Sequence, residues 1–525
     1  MASLIVTSVI LSLSLALVLV PFVRFTARKI GMVDRPDAER KLHQKPVALG
    51  GGIAVFVAAT ASFALTVIID RWNGTATLGY MQPQWHILYF AAACMLAVGL
   101  IDDVFSLRGR QKLLMQCLII AVIVGSGTII DSIGLLGFEI ELGVFAFPIT
   151  VLWLLIAVNA LNLIDGADGM ATTAAIIICV GLGVLSLAGG AALNAVVAFG
   201  LAGALLGFLC FNRPPATIYL GDAGSMTIGL LIGVFAIWSS VKESTVLASA
   251  PVAILAIPLF DSSAAIVRRW LTGRSLYATD RGHLHHLLQE KFGPYGMLLV
   301  VAVLCSSTTI LAVLSVTFDL PWLAAAGVAV VLGVLVYTRS FGHAEYRLVL
   351  GRGMNFAKSF ATRSHSADNA KLHTRIPIQG SGNWDAVWDQ LVEFAENHEL
   401  AKIRIDLNIA WLQEGYHATW KSVRQPEKAF KLVVKLPLFT RRQSDGEQAS
   451  IGILEIVAPA IDNTVYERIA DVSNKLVELV PQIDAIIVDL EANQSAKRKA
   501  VAAQQDGLSP VDKTAPTDSI PVSHS

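Results

Sequence analysis

Between residues 3 and 339 the chain repeats one pattern: a long apolar run, a short polar break, then another run. Eleven runs stand out, at about 3–23, 47–69, 86–101, 113–130, 146–161, 171–188, 192–211, 223–238, 246–267, 297–317 and 321–339. Runs of this length cross a bilayer as helices, so the pattern predicts a polytopic α-helical membrane protein with about 11 transmembrane helices over residues 1–340. The first run has no basic flank before it and no A-x-A site after it, and is expected to be retained as a span. After Arg339 the pattern changes. Residues 341–383 are polar and basic, with scattered Gly, Ser and His, and predict a linker. Residues 384–490 predict a small α+β domain. Trp384, Val387, Trp388 and Leu391 have helical spacing, and KIRIDLNIAW, AFKLVVKLPLF and SIGILEIVA read as strands. Thr464 and Glu467 form a capping box before Val465, Ile469, Val472 and Leu476, a helical face that Pro481 is expected to end. Residues 491–525 are polar and predict a disordered tail.

Composition agrees with the pattern, at 54% hydrophobic and 15% charged residues. Charge adds an orientation. With the N-terminus outside, the loops facing the cytoplasm hold 16 Lys and Arg, and the opposite loops hold only Arg71 and Lys242. The positive-inside rule therefore puts the N-terminus outside and the C-terminal domain in the cytoplasm. The formal net charge is zero and selects no partner; none of nucleic-acid type is expected. The five cysteines fall inside apolar runs without a pairing pattern, as buried thiols do.

On this topology the unusual polar clusters share one membrane face. Asp102 and Asp103 end the third run, Asn162, Asp165 and Asp168 follow the fifth, and Asp222 opens the eighth. DRGHLHHLL (280–288) lies between the ninth and tenth, and ERKLHQKPVALGGG (39–52) leads into the second. Acids at helix C-termini meet an already negative dipole and call for a cation. A hard ion such as Mg²⁺ fits oxygen donors of this kind. The glycines of GDAGSM suit close approach to a ligand, and the start of the eighth run would present free N–H groups to a phosphate. Singly, each motif reads as a cap, a turn or a loop. Together, on one face, they point to a site.

RKLHQKP with its following glycines, IDDVFSLRGRQK, NALNLIDGADGM, YLGDAGSM and DRGHLHHLL, in this order, resemble the polyprenyl-phosphate N-acetylhexosamine-1-phosphate transferases, of glycosyltransferase family 4. The resemblance covers about residues 1–340. It implies transfer of a sugar 1-phosphate, most simply GlcNAc 1-phosphate, from a UDP-N-acetylhexosamine to undecaprenyl phosphate, with release of UMP. That would be the first membrane step of cell-envelope polysaccharide synthesis at a bacterial inner membrane. The branch that makes the muramyl-pentapeptide lipid carries a further acid and Trp motif after its histidines. Here LLQEKFGPYG follows instead, which favours the branch priming O-antigen, teichoic acid or related glycans. A deoxy-sugar or phospho-MurNAc-pentapeptide donor is the alternative, and an ion-coupled transporter a distant one.

Carried onto this chain, the resemblance makes Asp222 and Asn162 ligands of Mg²⁺, with Mn²⁺ as a substitute. Asp102 and Asp103 would face the lipid phosphate, with Lys112 and Arg108 or Arg110 as countercharge. Asp165 and Asp168, expected with Asp102 and Asp103 to be the catalytic acids, would line the nucleotide-sugar pocket or support it from behind. His283, His285, His286, Arg281 and Gly221 would hold the diphosphate, and Arg40, Lys41 and His43 would join Lys112 at the lipid phosphate. Residues 384–490 carry no such motif and are expected to serve regulation, assembly or self-association.

Overall fold

The computed structural model describes residues 1–34, 46–75, 77–79, 81–135, 138–239, 245–272, 282–338, 341–342, 346, 350, 372–379, 384–409, 412, 414–422, 431–441, 448–459 and 465–506. The chain divides into two units, Met1–Ala361 and Thr362–Ser525.

The first unit is helical. Its helices are α1 (Ala2–Ile30), α2 (Gly51–Trp72), α3 (Pro83–Phe105), α4 (Gly109–Gly125), α5 (Ala146–Ile164), α6 (Met170–Ala188), α7 (Ala192–Asn212), α8 (Gly221–Trp238), α9 (Thr245–Ile254), α10 (Ala256–Thr272), α11 (Leu284–Thr317) and α12 (Pro321–Tyr337). Two short hairpins join them: β1 (Val33–Asp34) with β2 (Val47–Ala48), and β3 (Ser132–Leu135) with β4 (Phe138–Glu141). Among the described residues eight helices are long and apolar enough to cross a membrane: α1, α2, α3, α5, α6, α7, α8 and α11. The other three apolar runs form shorter helices. α4 and α12 have 17 residues each, and the run at 246–267 divides into α9 and α10 around Leu255. Pro258 has no N–H to give the carbonyl of Ile254, which explains the break. All five cysteines are free. Cys179 and Cys305 are buried as expected, Cys94 and Cys117 are half-buried, and Cys210 is exposed.

Helix packing in the first unit depends on small residues. Along the α1–α7 seam, a Cβ on Gly203 would meet Ser12 Oγ at 2.3 Å, and one on Gly207 would meet the Cβ of Ala16 at 2.8 Å. The seam is fastened by Ser8 Oγ donating to the carbonyl of Val196 at 3.2 Å. Small faces of this kind let apolar helices approach closely where no hydrophobic effect separates helix from lipid. The tightest approaches surround α8, which is buried along nearly its whole length. A Cβ on Gly52 of α2 would lie 2.3 Å from Gly224 Cα, and one on Gly99 of α3 would lie 2.4 Å from Ala223 Cα. Those neighbours are backbone and cannot swing aside. The α2 start is also stitched to the segment before α8, with Gly51 N–H donating to Tyr219 O and Gly52 N–H to Leu220 O, both at 3.0 Å.

The second unit is a five-stranded antiparallel sheet in the order β5-β7-β6-β9-β8, with β5 Leu372–Gln379, β6 Lys402–Ile409, β7 Glu414–Lys421, β8 Lys431–Arg441 and β9 Gln448–Pro459. One sheet face buries Ile403, Ile405, Leu407, Tyr416, Ala418, Trp420, Leu454 and Ile456. Two helices complete this core. Asp385–Asn397 contributes Val387, Trp388 and Leu391, and Val465–Asp506 contributes Leu479, Ile483 and Ile487.

Three sequence expectations are corrected here. A strand, β5, forms inside the stretch read as linker, because Leu372–Gln379 finds a full antiparallel partner in β7. β7 is a further strand outside the three expected ones, and its Tyr416, Ala418 and Trp420 alternate with His417, Thr419 and Lys421. The last helix runs through Pro481 to Asp506, well into the stretch read as a disordered tail, and packing of Leu479, Ile483 and Ile487 against the sheet offsets the lost backbone bond. Thr464 lies outside the described residues.

The packing around α8 generates a test. Gly52→Ala or Gly99→Ala should destabilise the detergent-solubilised protein by about 1–3 kcal/mol through overpacking against backbone. Gly333→Ala in α12, where the added methyl meets nothing within 4 Å, should be neutral or slightly stabilising. Equal melting temperatures for Gly52→Ala and Gly333→Ala would refute the close approach.

Candidate active site

Four helix ends meet where the acids lie. α3 stops at Ser106, whose N–H donates to Asp102 O at 2.8 Å, and Arg108 starts α4 with its N–H donating to Gln111 Oε1 at 3.2 Å. The tight turn between them brings Lys112 back over the end of α3. Lys112 Nζ lies 2.9 Å from Asp102 Oδ2 and 2.5 Å from Asp222 Oδ2, and donates to Asn162 Oδ1 at 3.2 Å. One ammonium thus gathers oxygens from the ends of α3, α5 and α8. Asn162 also donates through Nδ2 to Asp222 Oδ1 at 2.7 Å and to Ser225 Oγ at 2.9 Å, which fixes its carboxamide with the oxygen toward Lys112. Asp102 Oδ1 accepts from Leu107 N–H at 2.7 Å.

Asp103 points elsewhere. Its Oδ1 accepts from Asp222 N–H at 2.8 Å and its Oδ2 from Ala223 N–H at 3.3 Å, so a carboxylate at the C-terminus of α3 caps the N-terminus of α8. The first-turn N–H groups of α8, expected to await a phosphate, are in this way already engaged. The glycines of GDAGSM are explained by the same contact. Gly221 has φ 75°, and a Cβ there would lie 2.6 Å from Asp103 Oδ2, while Gly224 faces the backbone of Gly52. They admit protein, not ligand.

Asp165 ends α5 and keeps some exposed surface, yet protein rings its carboxyl. Burial pushes that carboxyl well above the usual carboxylate range, the charges of Asp222, Asp103 and Asp168 push the same way, and the N–H of Gly221 opposes them. Asp168 Oδ2 accepts from Ala216 N–H at 2.9 Å. The histidine segment reaches the same region. A Cβ on Gly166 would lie 2.7 Å from His285 Nε2, so Gly166 exists to let that ring in. His285 stacks on His283 with ring centroids 5.7 Å apart, and His286 lies 4.1 Å from His285. Asp102, Asp103, Lys112, Asn162, Asp165, Gly221 and Asp222 are therefore brought into mutual contact, with His285 alongside through Gly166. Arg40, Lys41, His43 and Arg281 lie outside the described residues.

One residue escaped the sequence reading. Asp261 of α10 is fully buried, and its carboxylate takes both His283 Nδ1, at 3.1 Å, and the N–H of Leu284, at 2.8 Å. The available signal was a lone acid inside the apolar run 246–267.

The donors suit a hard cation. Among the described residues no three His, Cys, Asp or Glu side chains have metal-ligand spacing. Two carboxylates and a carboxamide oxygen nevertheless converge on one point, at which the ammonium of Lys112 stands in for a cation. An all-oxygen set of this size fits an ion that completes its sphere from substrate phosphate and water.

A family model described as glycosyl transferase family 4 matches residues 85–240, the stretch from α3 to α8 that holds Asp102, Asp103, Lys112, Asn162, Asp165, Asp168 and Asp222. A Bacillus subtilis (strain 168) protein named probable undecaprenyl-phosphate N-acetylglucosaminyl 1-phosphate transferase is 34% identical over 287 residues, which are 54% of this chain and 77% of the relative. The chain belongs to glycosyl transferase family 4. Other relatives in the family include the undecaprenyl-phosphate alpha-N-acetylglucosaminyl 1-phosphate transferase of Escherichia coli (strain K12), 29% identical over 51% of this chain and 72% of the relative. The decaprenyl-phosphate N-acetylglucosaminephosphotransferase of Mycolicibacterium smegmatis is 32% identical over 51% and 71%. The polyprenyl-phosphate transferase resemblance of the motifs is thus a family membership, and with its apolar helices the chain is a membrane protein.

The two neighbouring acids should separate experimentally. Asp103→Ala strips a cap from α8 and should lower stability by about 0.5–2 kcal/mol, along with activity. Asp102→Asn can keep the Leu107 bond and should lose activity with a smaller change in melting temperature. Identical stability losses in the two variants would contradict the different bonds of the two carboxylates.

Proposed function

We propose that the chain transfers N-acetylhexosamine 1-phosphate, most simply GlcNAc 1-phosphate, from a UDP-sugar to undecaprenyl phosphate and releases UMP. The observation that carries this reading is the convergence of Asp102, Asn162 and Asp222 on a single cation at the ends of three helices. The relatives' names supply the acceptor class. A lipid phosphate stays at the interface, so a site at helix ends suits it and a mid-membrane site would not.

In the reaction a phosphate oxygen of the acceptor attacks the phosphorus that bears the sugar. The P–O bond bridging the donor's two phosphates breaks, and UMP leaves with its electron pair. A phosphate monoester has its second pKa near ~6 and is largely dianionic at neutral pH, so no side chain needs to remove a proton. Positioning and charge neutralisation remain, which is what phosphoryl transfer needs. Lys112, exchanging Asp222 for the acceptor phosphate, neutralises the nucleophile's charge, a role in which Arg40, Lys41 and His43 would join it. Asp103 holds α8 in place. Asp165 and Asp168 shape the nucleotide-sugar side, and His283, His285, His286 and Arg281 hold the diphosphate. Asp222 and Asn162 are the residues that would hold Mg²⁺ or Mn²⁺, which would supply charge neutralisation on the diphosphate.

The proposed topology has eleven spans, counting α4, the α9–α10 pair and α12. The N-terminus is outside and the site is on the cytoplasmic face of a bacterial inner membrane, where the product would begin an envelope polysaccharide. Residues 384–490 form a cytoplasmic module for regulation or assembly, since the acids and histidines of the site all precede residue 340.

Purified protein should release UMP from UDP-GlcNAc only when undecaprenyl phosphate is present. EDTA should abolish the release, and Mg²⁺ or Mn²⁺ should restore it. Asp222→Asn should lose transition-state stabilisation on the order of several kcal/mol. Undiminished release in EDTA, or near-wild-type turnover in Asp222→Asn, would refute the assignment. A chain ending at Gly342 should still release UMP with a similar KM; a folded, monodisperse but inactive core would mean that the second unit completes the site.

A further inference from the structure

α10 enters the described site through one face. Asp261 and Arg268 are seven residues apart, two helical turns, and so lie on the same side of the helix. Both meet the segment that leads into α11. Asp261, fully buried, accepts from the N–H of Leu284 at 2.8 Å through one oxygen and contacts His283 Nδ1 at 3.1 Å through the other. Arg268, also buried, lies so close to Gly282 that a Cβ there would come within 2.5 Å of the guanidinium carbon. Gly282, His283 and Leu284 are consecutive, so α10 grips three successive residues. The grip is transmitted onward, because His283 stacks on His285 and His285 lies against Gly166, next to Asp165.

A buried carboxylate is costly unless its oxygens are satisfied, and here both are. A helix start could be capped by Ser or Thr at far lower cost. What a carboxylate adds is control of the imidazole. An ionised carboxylate only accepts, so Nδ1 carries a proton, and the carboxylate's charge lets the ring carry a second proton on Nε2 and donate it to a phosphate oxygen.

We propose that Asp261 is a positioning residue for the nucleotide-sugar diphosphate: it fixes the placement of His283 and holds its Nδ1 proton so that Nε2–H can donate to a phosphate oxygen, with Arg268 holding the adjacent backbone. The proposal rests on the transferase reading above and adds a residue from a helix outside the acid cluster. Asp261 acts through His283 and does not itself meet substrate.

The test uses the full-length protein, with UDP-GlcNAc as donor and undecaprenyl phosphate as acceptor. Asp261→Asn retains the shape and can still accept from Leu284, but its amide meets Nδ1 with a donor and without charge, so His283 can no longer hold protons on both nitrogens. It should fold, raise the KM for UDP-GlcNAc about tenfold or more, and change kcat less. In a His283→Gln background the same substitution should add less than about twofold, because the group it positions is gone. Gly282→Ala, which leaves Asp261 intact but displaces the backbone from Arg268, should raise the same KM and serves if Asp261→Asn does not fold. A folded Asp261→Asn with unchanged KM overturns the proposal. So does a full multiplicative loss in the His283→Gln background, which would mean a general structural role. If the wild-type protein releases no UMP from any UDP-sugar, the transferase reading fails first and this inference falls with it.

Discussion

The contact between Asp103 and the first turn of α8 is the one on which the site depends. α8 is buried along its length, and its N-terminus is positioned by a carboxylate from the end of α3. The electrostatics are reciprocal: a negative charge that would be unfavourable at the C-terminus of its own helix is favourable at the N-terminus of another. The contact exists only because no side chain intervenes. Gly221 leaves room for the carboxylate, and Gly99, Gly52 and Gly224 let three backbones close around the same turn. With α8 so placed, Asp222 projects toward Asp102 and Asn162, and the donors of three helices can share one cation.

That sharing resolves a charge problem. Asp102 and Asp222 both face Lys112, and Asp165 lies near enough for their neighbours' charge to act on it. Among the described residues, one lysine is set against these three acids. A site left short of positive charge is receptive to a divalent cation, and to the basic side chains of the loops. The same shortage would oppose a phosphorylated substrate without such partners, which couples binding of anion and cation.

Much of this was legible in the sequence. The apolar runs gave the helices because a bilayer-length run permits few alternatives, and the acid clusters stood out against so apolar a background. The pairing of acids with partners was not legible. DD at 102–103 reads as two equivalent carboxylates, yet rotation of about 100° between neighbouring helical residues sends one to Lys112 and the other to a backbone 119 residues away. The glycines of GDAGSM looked like a ligand cradle because sequence shows that space is needed but not what fills it. Asp261 stands alone in its run and joins no motif, so the sequence does not pair it with His283. In the second unit β5 is defined by pairing with β7, a non-local property that short-range pattern reads poorly, whereas the alternation of Tyr416, Ala418 and Trp420 in β7 was legible.

The bonds of the acids also rank them. Asp102, Asp103, Asp168 and Asp261 each accept from a backbone N–H of a different segment, at Leu107, at Asp222 and Ala223, at Ala216 and at Leu284. Asp165 faces the N–H of Gly221. Such bonds are part of the scaffold, and breaking them exposes an unsatisfied donor. Asp222 differs. The contacts of its carboxylate are with the side chains of Lys112, Asn162 and Asp102, not with backbone. It is therefore the carboxylate in the cluster that can exchange its partners for a ligand without disturbing the fold. The abundance of acids at these helix ends is thus mostly architecture, built to present one exchangeable carboxylate at the end of a buried helix.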